Sequence, residues 1–268
     1  MTNQAAAAHH DDGLAVDRRE MPHELDDGLG ARGRIGVIVL ATDQTVEHEF
    51  RRMLDRPEVA FYESRIENDP LITPETLRAM EPRIAAAAGL ILPGVRLDVM
   101  AFGCTSASML IGNERVAECI HEVRPGIPTT TPMAAAFAAL RALEVRRVAL
   151  ITPYLDTVNR SMRAYFMDHG FAVPVMGSWN IAEDDKAARL TEATIRAAVL
   201  DLGRSDLVDA VFVSCSNLRL ANSVAPLEAA LGKPVTSSNH AMAWHCLRLA
   251  GCDDAAPEFG RLFERPLS

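Results

Sequence analysis

Two cysteines stand in matching strings. DVMAFGCTSAS, residues 98–108, carries an apolar run to a glycine, Cys104 and then small hydroxyl-bearing residues; DAVFVSCSNLR, residues 209–219, repeats the plan around Cys215. A lone cysteine in an apolar strand is most often a small buried hydrophobe. A matched pair, each following Gly or Ser and preceding Thr or Ser, points instead to chemistry. A helix opening after each cysteine would turn its free N–H groups and positive dipole end toward the sulfur. That favours both a bound carboxylate and a thiolate, below the reference pKa of about 8.5. Thr105, Ser106, Ser108, Ser214, Ser216 and Asn217 add neutral donors that can hold a carboxylate, leaving the acidity of its neighbouring carbon to fixed dipoles. The runs Thr129, Thr130, Thr131 and Ser237, Ser238, Asn239 are expected to line the same cleft.

The elements that must position these groups follow from hydrophobic texture. From Arg34 short apolar runs alternate with alanine-rich stretches, the βαβ pattern of a parallel sheet covered by helices. Strands are expected at 34–41, 58–64, 98–104, 127–131, 146–153, 171–179, 209–215 and 233–238. Helices are expected near 74–92, 107–123, 133–143, 156–169, 187–203, 219–231 and 240–250. The chain also repeats itself once. RIGVIVLATD (34–43) aligns with RVALITPYLD (147–156), the cysteine strings align, and IPTTTPMAAAFAALRAL (127–143) aligns with KPVTSSNHAMAWHCLRLAG (233–251). Three pairs in one order imply a duplicated α/β unit. Loops beyond the carboxyl ends of parallel strands form the ligand crevice. Two such units facing about a pseudo-twofold axis bring Cys104 and Cys215 to opposite sides of one interdomain cleft. Residues 33–131 with 239–268 are expected to form the first domain and 132–238 the second, with 1–32 a disordered extension.

Composition removes several classes of function. The chain has 268 residues, 49% hydrophobic and 24% charged, which is a globular rather than a disordered balance. A net charge of -9 argues against a nucleic-acid partner. No apolar run approaches the roughly 20 residues of a membrane span, and the N-terminus lacks a signal core, so no membrane association is expected and a cytoplasmic location is. Five cysteines without a CxxC fit a reducing compartment. His240 and His245, five apart, lack ligand spacing, so no metal is expected. Lys186 and Lys233, the two lysines, sit at a charged helix start and a turn, which disfavours a pyridoxal-phosphate Schiff base. No GxGxxG or GxxxxGKS cradle occurs.

GCTSAS at 103–108, TPY at 152–154, SCSNLR at 214–219 and PVTSSN at 234–239 resemble the aspartate/glutamate racemase superfamily, specifically its maleate cis-trans isomerase and arylmalonate decarboxylase branch. The resemblance runs from Arg34 to Gly251; LATDQT (40–45) and SSNHAMAW (237–244) look closest to its ectoine-utilisation members. It implies two similar domains, each a four-stranded parallel sheet flanked by helices, and a cofactor-independent isomerase of a small carboxylate. It further implies Cys104 as the nucleophile, Cys215 as its acid/base partner and Tyr154 as a carboxylate ligand. A homo-oligomer is expected by the same analogy. A thiolate adding to an electron-poor alkene leaves a single bond free to rotate, and elimination then gives the trans acid. Racemases instead use one thiolate to remove an α-proton while the other thiol reprotonates the opposite face.

Two departures keep the substrate open. Maleate isomerases carry asparagine where this sequence offers Asp43 and Gln44, and again where it offers Asp184 and Asp185. Charge there repels a dicarboxylate, whereas Asp43 could meet a substrate ammonium. The plainer account of Asp43 and Asp184 is helix capping. Arylmalonate decarboxylases keep only the second cysteine, so the presence of both argues against simple decarboxylation. Expected substrate contacts are Asp43, Gln44, Thr105, Ser106, Thr131, Tyr154, Ser216, Asn217 and Ser238. Racemisation, decarboxylation and silent metabolite binding remain as alternatives.

Overall fold

In the computed structural model, which describes Val16, Arg18 and residues 20–267, the long apolar runs become central strands of two parallel sheets. The first sheet holds β1 (Gly33–Leu40), β2 (Val59–Ile66), β3 (Val99–Phe102) and β4 (Thr129–Thr130) in the order β2-β1-β3-β4. The second holds β5 (Arg147–Thr152), β6 (Ala172–Ser178), β7 (Ala210–Val213) and β8 (Val235–Ser237) in the order β6-β5-β7-β8. The order repeats, as the internal alignment requires. Central β3 and β7, VMAF and AVFV, are buried throughout, because a parallel strand covered on both faces has no polar side. Edge strands differ. In β6 the register on β5 slips by one residue at Pro174, which lacks the N–H for a ladder bond and is tolerated only at such an edge.

The helices are α1 (Val46–Met53), α2 (Pro74–Arg78), α3 (Ile84–Leu90), α4 (Thr105–Ile111), α5 (Asn113–His121), α6 (Pro132–Ala142), α7 (Asp156–Asp168), α8 (Asp184–Ala188), α9 (Glu192–Gly203), α10 (Val224–Leu231) and α11 (Ser238–Leu249). Several expectations change: the helix expected over 187–203 divides into α8 and α9, and that over 219–231 starts only at Val224, after a 3-10 turn at Ala221–Ser223. A continuous helix over 107–123 breaks at Gly112, whose φ of 96° is costly for any residue with a Cβ. The stretch 74–92 is interrupted by a 3-10 turn at Glu81–Arg83, where Pro82 cannot continue the α-helical ladder. A helix at Val46–Met53, absent from the expectations, buries Val46, Phe50 and Met53 on one face together with Glu49.

Helices α6 and α11, the counterparts in the repeat, pack against each other and join the halves. Ala135 and Ala139 of α6 share a core with Ala241, Trp244 and the first sheet. Phe137 leans the other way, stacked on Phe171 and His169 and edge-on to Phe166 of the second half. Of the N-terminal extension, residues 1–15, 17 and 19 lie outside the described residues. Residues 20–29 are exposed and carry no helix or strand.

Phe137 is 3% exposed and holds two α/β units together. Phe137→Ala is expected to lower stability by about 3–5 kcal/mol, read as a shift of the urea midpoint.

Candidate active site

In a sheet of order β2-β1-β3-β4 the chain reverses direction between β1 and β3, and the crevice opens beyond their carboxyl ends. Asp43 follows β1 and Cys104 follows β3; Tyr154 follows β5 and Cys215 follows β7. Each cysteine loop leaves its strand by the same bond. Gly103 N donates to Ile38 O at 2.7 Å, and Ser214 N donates to Ile151 O at 2.8 Å. A Cβ at position 103 would stand 3.0 Å from that carbonyl oxygen, which accounts for the glycine before Cys104.

Ser238, the first residue of α11, joins the two loops. Its hydroxyl oxygen accepts from Thr105 Oγ1 at 2.8 Å and from Cys215 N at 3.0 Å. The loop after Cys215 is then fixed from α1. Glu49 Oε1 accepts from Leu220 N at 2.6 Å and Ala221 N at 2.7 Å, and Oε2 accepts from Asn239 Nδ2 at 2.8 Å. The same amide donates to Ser216 O. Held this way, Cys215 keeps φ at 153°, a strained value for a side-chain-bearing residue of the kind that persists at functional sites.

Cys104, Thr105, Ser106, Tyr154, Cys215 and Ser216 line one enclosed cavity with Leu40, Asp184 and the segment 68–80. Its free space is about 20 Å³, room for a water or so. The roof is a clasp between the halves: Ile72 N donates to Ala182 O at 2.9 Å and Asp184 N to Pro70 O at 3.0 Å. Asn68 Nδ2 adds a bond to Thr42 Oγ1. Tyr154, 1% exposed, lines the cavity with Cys215 and Ser106.

Burial works against the expected activation of the thiols in this closed cavity. Burial pushes Cys104 up to about 12 and Cys215 well above its ordinary value; the nearby carboxylates of Asp184 and Asp43 add to both. The N–H groups of Ala107 and Asn217, aimed at the two sulfurs, offset this only in part. A helix does begin after Cys104, but none follows Cys215 directly, since residues 216–220 form a turn and loop before the 3-10 turn Ala221–Ser223.

Other expected contacts stand outside the wall. Gln44 is exposed, with its amide on Asp185, and its N–H donates to Asn217 Oδ1 at 2.8 Å. Thr131 caps α6 and donates to Asn113. Ser238 and Asn217 are buried behind the thiols as structural links. Asp43 caps the start of α1, Oδ1 accepting from Thr45 N and Val46 N, both at 2.8 Å, while Oδ2 is buried without a partner. Asp184, read as a cap, lines the cavity, with Oδ2 accepting from Thr42 Oγ1. The segment 68–80 carried a sequence signal in Asn68-Asp69-Pro70 and Thr73-Pro74, loop residues at the carboxyl end of a parallel strand.

The arylmalonate decarboxylase family profile matches residues 35–263. An arylmalonate decarboxylase of Bordetella bronchiseptica is 36% identical over 141 residues, 52% of this chain and 59% of that protein. A maleate isomerase of Nocardia farcinica is 29% identical over 248 residues, 88% of this chain and 97% of that protein. A crystal structure of a Nocardia farcinica maleate cis-trans isomerase variant with a covalently bound succinylcysteine intermediate superposes with a TM-score of 0.77 at 26% identity, covering 86% of this chain and 98% of that one.

Burial raises Asp43 to about 7, so folding favours its protonated form. The stability this gives is complete below about pH 4 and is lost as the pH climbs through the raised value. Asp43→Asn, which keeps an acceptor for Thr45 and Val46, is expected to be more stable than the parent by about 4 kcal/mol at about pH 8, with the gap closing toward about pH 4. Urea titrations across that range read the difference.

Proposed function

The chain belongs to the arylmalonate decarboxylase family, and on that premise we propose that it is a cofactor-independent isomerase working on a small carboxylate through Cys104 and Cys215. The observation that carries this reading is the pair of thiols in the wall of one closed cavity, with Tyr154 beside Cys215. In the cis-trans route the Cys104 sulfur adds to one alkene carbon, forming a C–S bond. The π electrons pass to the carbon next to the carboxylate and into that group. Ser106, Ser216 and Tyr154 stabilise the charge that develops there. Rotation about the new single bond follows. The electron pair then returns, the C–S bond breaks and the trans alkene leaves with Cys104 as thiolate.

The same pair supports a second reading, α-proton exchange of an amino acid. It is favoured by Asp184, a carboxylate in the wall able to meet an ammonium. The loss of carbon dioxide that names the family is the less favoured alternative, and silent binding of a metabolite is the reading that assumes least. The ectoine-utilisation resemblance of residues 40–45 and 237–244 makes ectoine breakdown the setting we favour.

Proton NMR in deuterated water reads both isomerase routes at once, as cis-to-trans conversion of unsaturated carboxylates and as loss of the α-proton signal of amino acids. Cys104→Ala and Cys215→Ala are each expected to lower turnover by about a thousandfold or more with the fold intact by circular dichroism. Full turnover in either variant overturns the two-thiol reading. Ligand-induced thermal stabilisation without turnover on any substrate supports the silent binder instead.

A further inference from the structure

The cavity wall has an unusual charge. Its charged side chains are Asp69 and Asp184; among the described residues no lysine, arginine or histidine lines it. Asp69 is exposed and turns one oxygen to Leu71 N. Asp184 is different, 5% exposed and held by two hydrogen bonds. Thr42 Oγ1 donates to its Oδ2 and its own N–H is fixed on Pro70 O, while the buried Asn217 Nδ2 makes no hydrogen bond. Among the described residues neither Asp184 nor Asp43 has an ion-pair partner. Asp43 is 3% exposed, its Oδ2 is buried with no hydrogen bond, and Ser216 of the cavity wall stands within reach of it. Burial raises both carboxyls above the ordinary carboxylate range, so each is costly as an anion unless a proton or a positive group completes it. Besides the thiols, the rest of the polar wall is neutral, the Asn68 amide and the hydroxyls of Thr76, Thr105, Ser106, Tyr154 and Ser216, donors that suit a single carboxylate.

We propose that Asp184 is a specificity residue that selects a short carboxylate also bearing an ammonium group, and that the cavity disfavours dicarboxylates. The substrate ammonium sits at Asp184 and its carboxylate among the hydroxyls, so closing the roof traps a molecule with no net charge. A dicarboxylate places a second negative charge against Asp184 in a largely enclosed site. At a separation of about 5 Å and an effective dielectric of about 20 that repulsion amounts to roughly 300-fold in affinity. This inference rests on the isomerase reading for the place where the substrate binds, and binding tests it separately from turnover.

The test is calorimetric titration of the full chain with maleate, with cis-4-aminobut-2-enoate, and with the N-acetylated form of the latter, which keeps the shape and loses the charge. The amino compound is expected to bind at least about 10-fold more tightly than either of the others. Asp184→Asn is expected to weaken the amino compound by about 10-fold or more and to strengthen maleate. Equal or tighter binding of maleate by the unaltered protein, or no detectable binding of the amino compound, overturns the proposal, and neither result depends on the variant folding. Thiol-dependent turnover of maleate in the NMR assay together with preferred binding of maleate refutes the ammonium site and leaves the isomerase reading intact. Selective binding of the amino compound with no thiol-dependent turnover does the reverse.

Discussion

One serine hydroxyl sets the geometry on which the site depends. Ser238 Oγ accepts from Thr105, the residue after the first thiol, and from the backbone N–H of Cys215, the second. Those two loops belong to different sheets, so nothing local to either could set their distance. Ser238 can set it because it opens α11, a helix that begins at the end of the second sheet and packs on β3 and α6 in the core beside the first. The position of the hydroxyl is therefore inherited from helix packing, which is stiff, and passed to loops, which are not. Glu49 does the same from the other side by taking the N–H groups of Leu220 and Ala221. Together they explain how Cys215 holds a backbone angle that a free loop would relax.

What could be read from sequence was whatever repeats or alternates locally. The alignment of Arg34–Asp43 with Arg147–Asp156, and of the two cysteine strings, predicts two sheets of one topology, and the sheets have the same strand order. Both cysteines and Tyr154 do line one cavity. Helix α1 escaped because Glu49 interrupts its apolar face, and a carboxylate at 4% exposure makes sense only once Leu220, Ala221 and Asn239 arrive from far along the chain. The roof escaped for the same reason, since Leu71 meets Glu183 across the two halves. The thiols were expected to be acidic from helix-start chemistry, a local rule. Burial is a property of the closed fold and outweighs it.

The roof and the charge of the site are one structural unit. A cavity with about 20 Å³ of free space cannot admit a four-carbon acid while residues 70–72 stay paired with residues 182–184. Opening must separate Ile72 from Ala182 and Asp184 from Pro70, two backbone hydrogen bonds between connecting segments of the halves. Asp184 gives its N–H to that clasp and its carboxylate to the wall, so parting the clasp would rehydrate the carboxylate. Water screens a charge that it reaches, whereas in the closed site an unpaired charge opposes closure and a paired one permits it. The buried thiols are subject to the same event. Burial pushes the Cys104 thiol up to about 12 in the closed site, so its thiolate is favoured by whatever brings water or a positive charge to the sulfur. On the proposed reading, closure on the right molecule governs both selection and nucleophile, through the carboxylate that joins the roof to the wall.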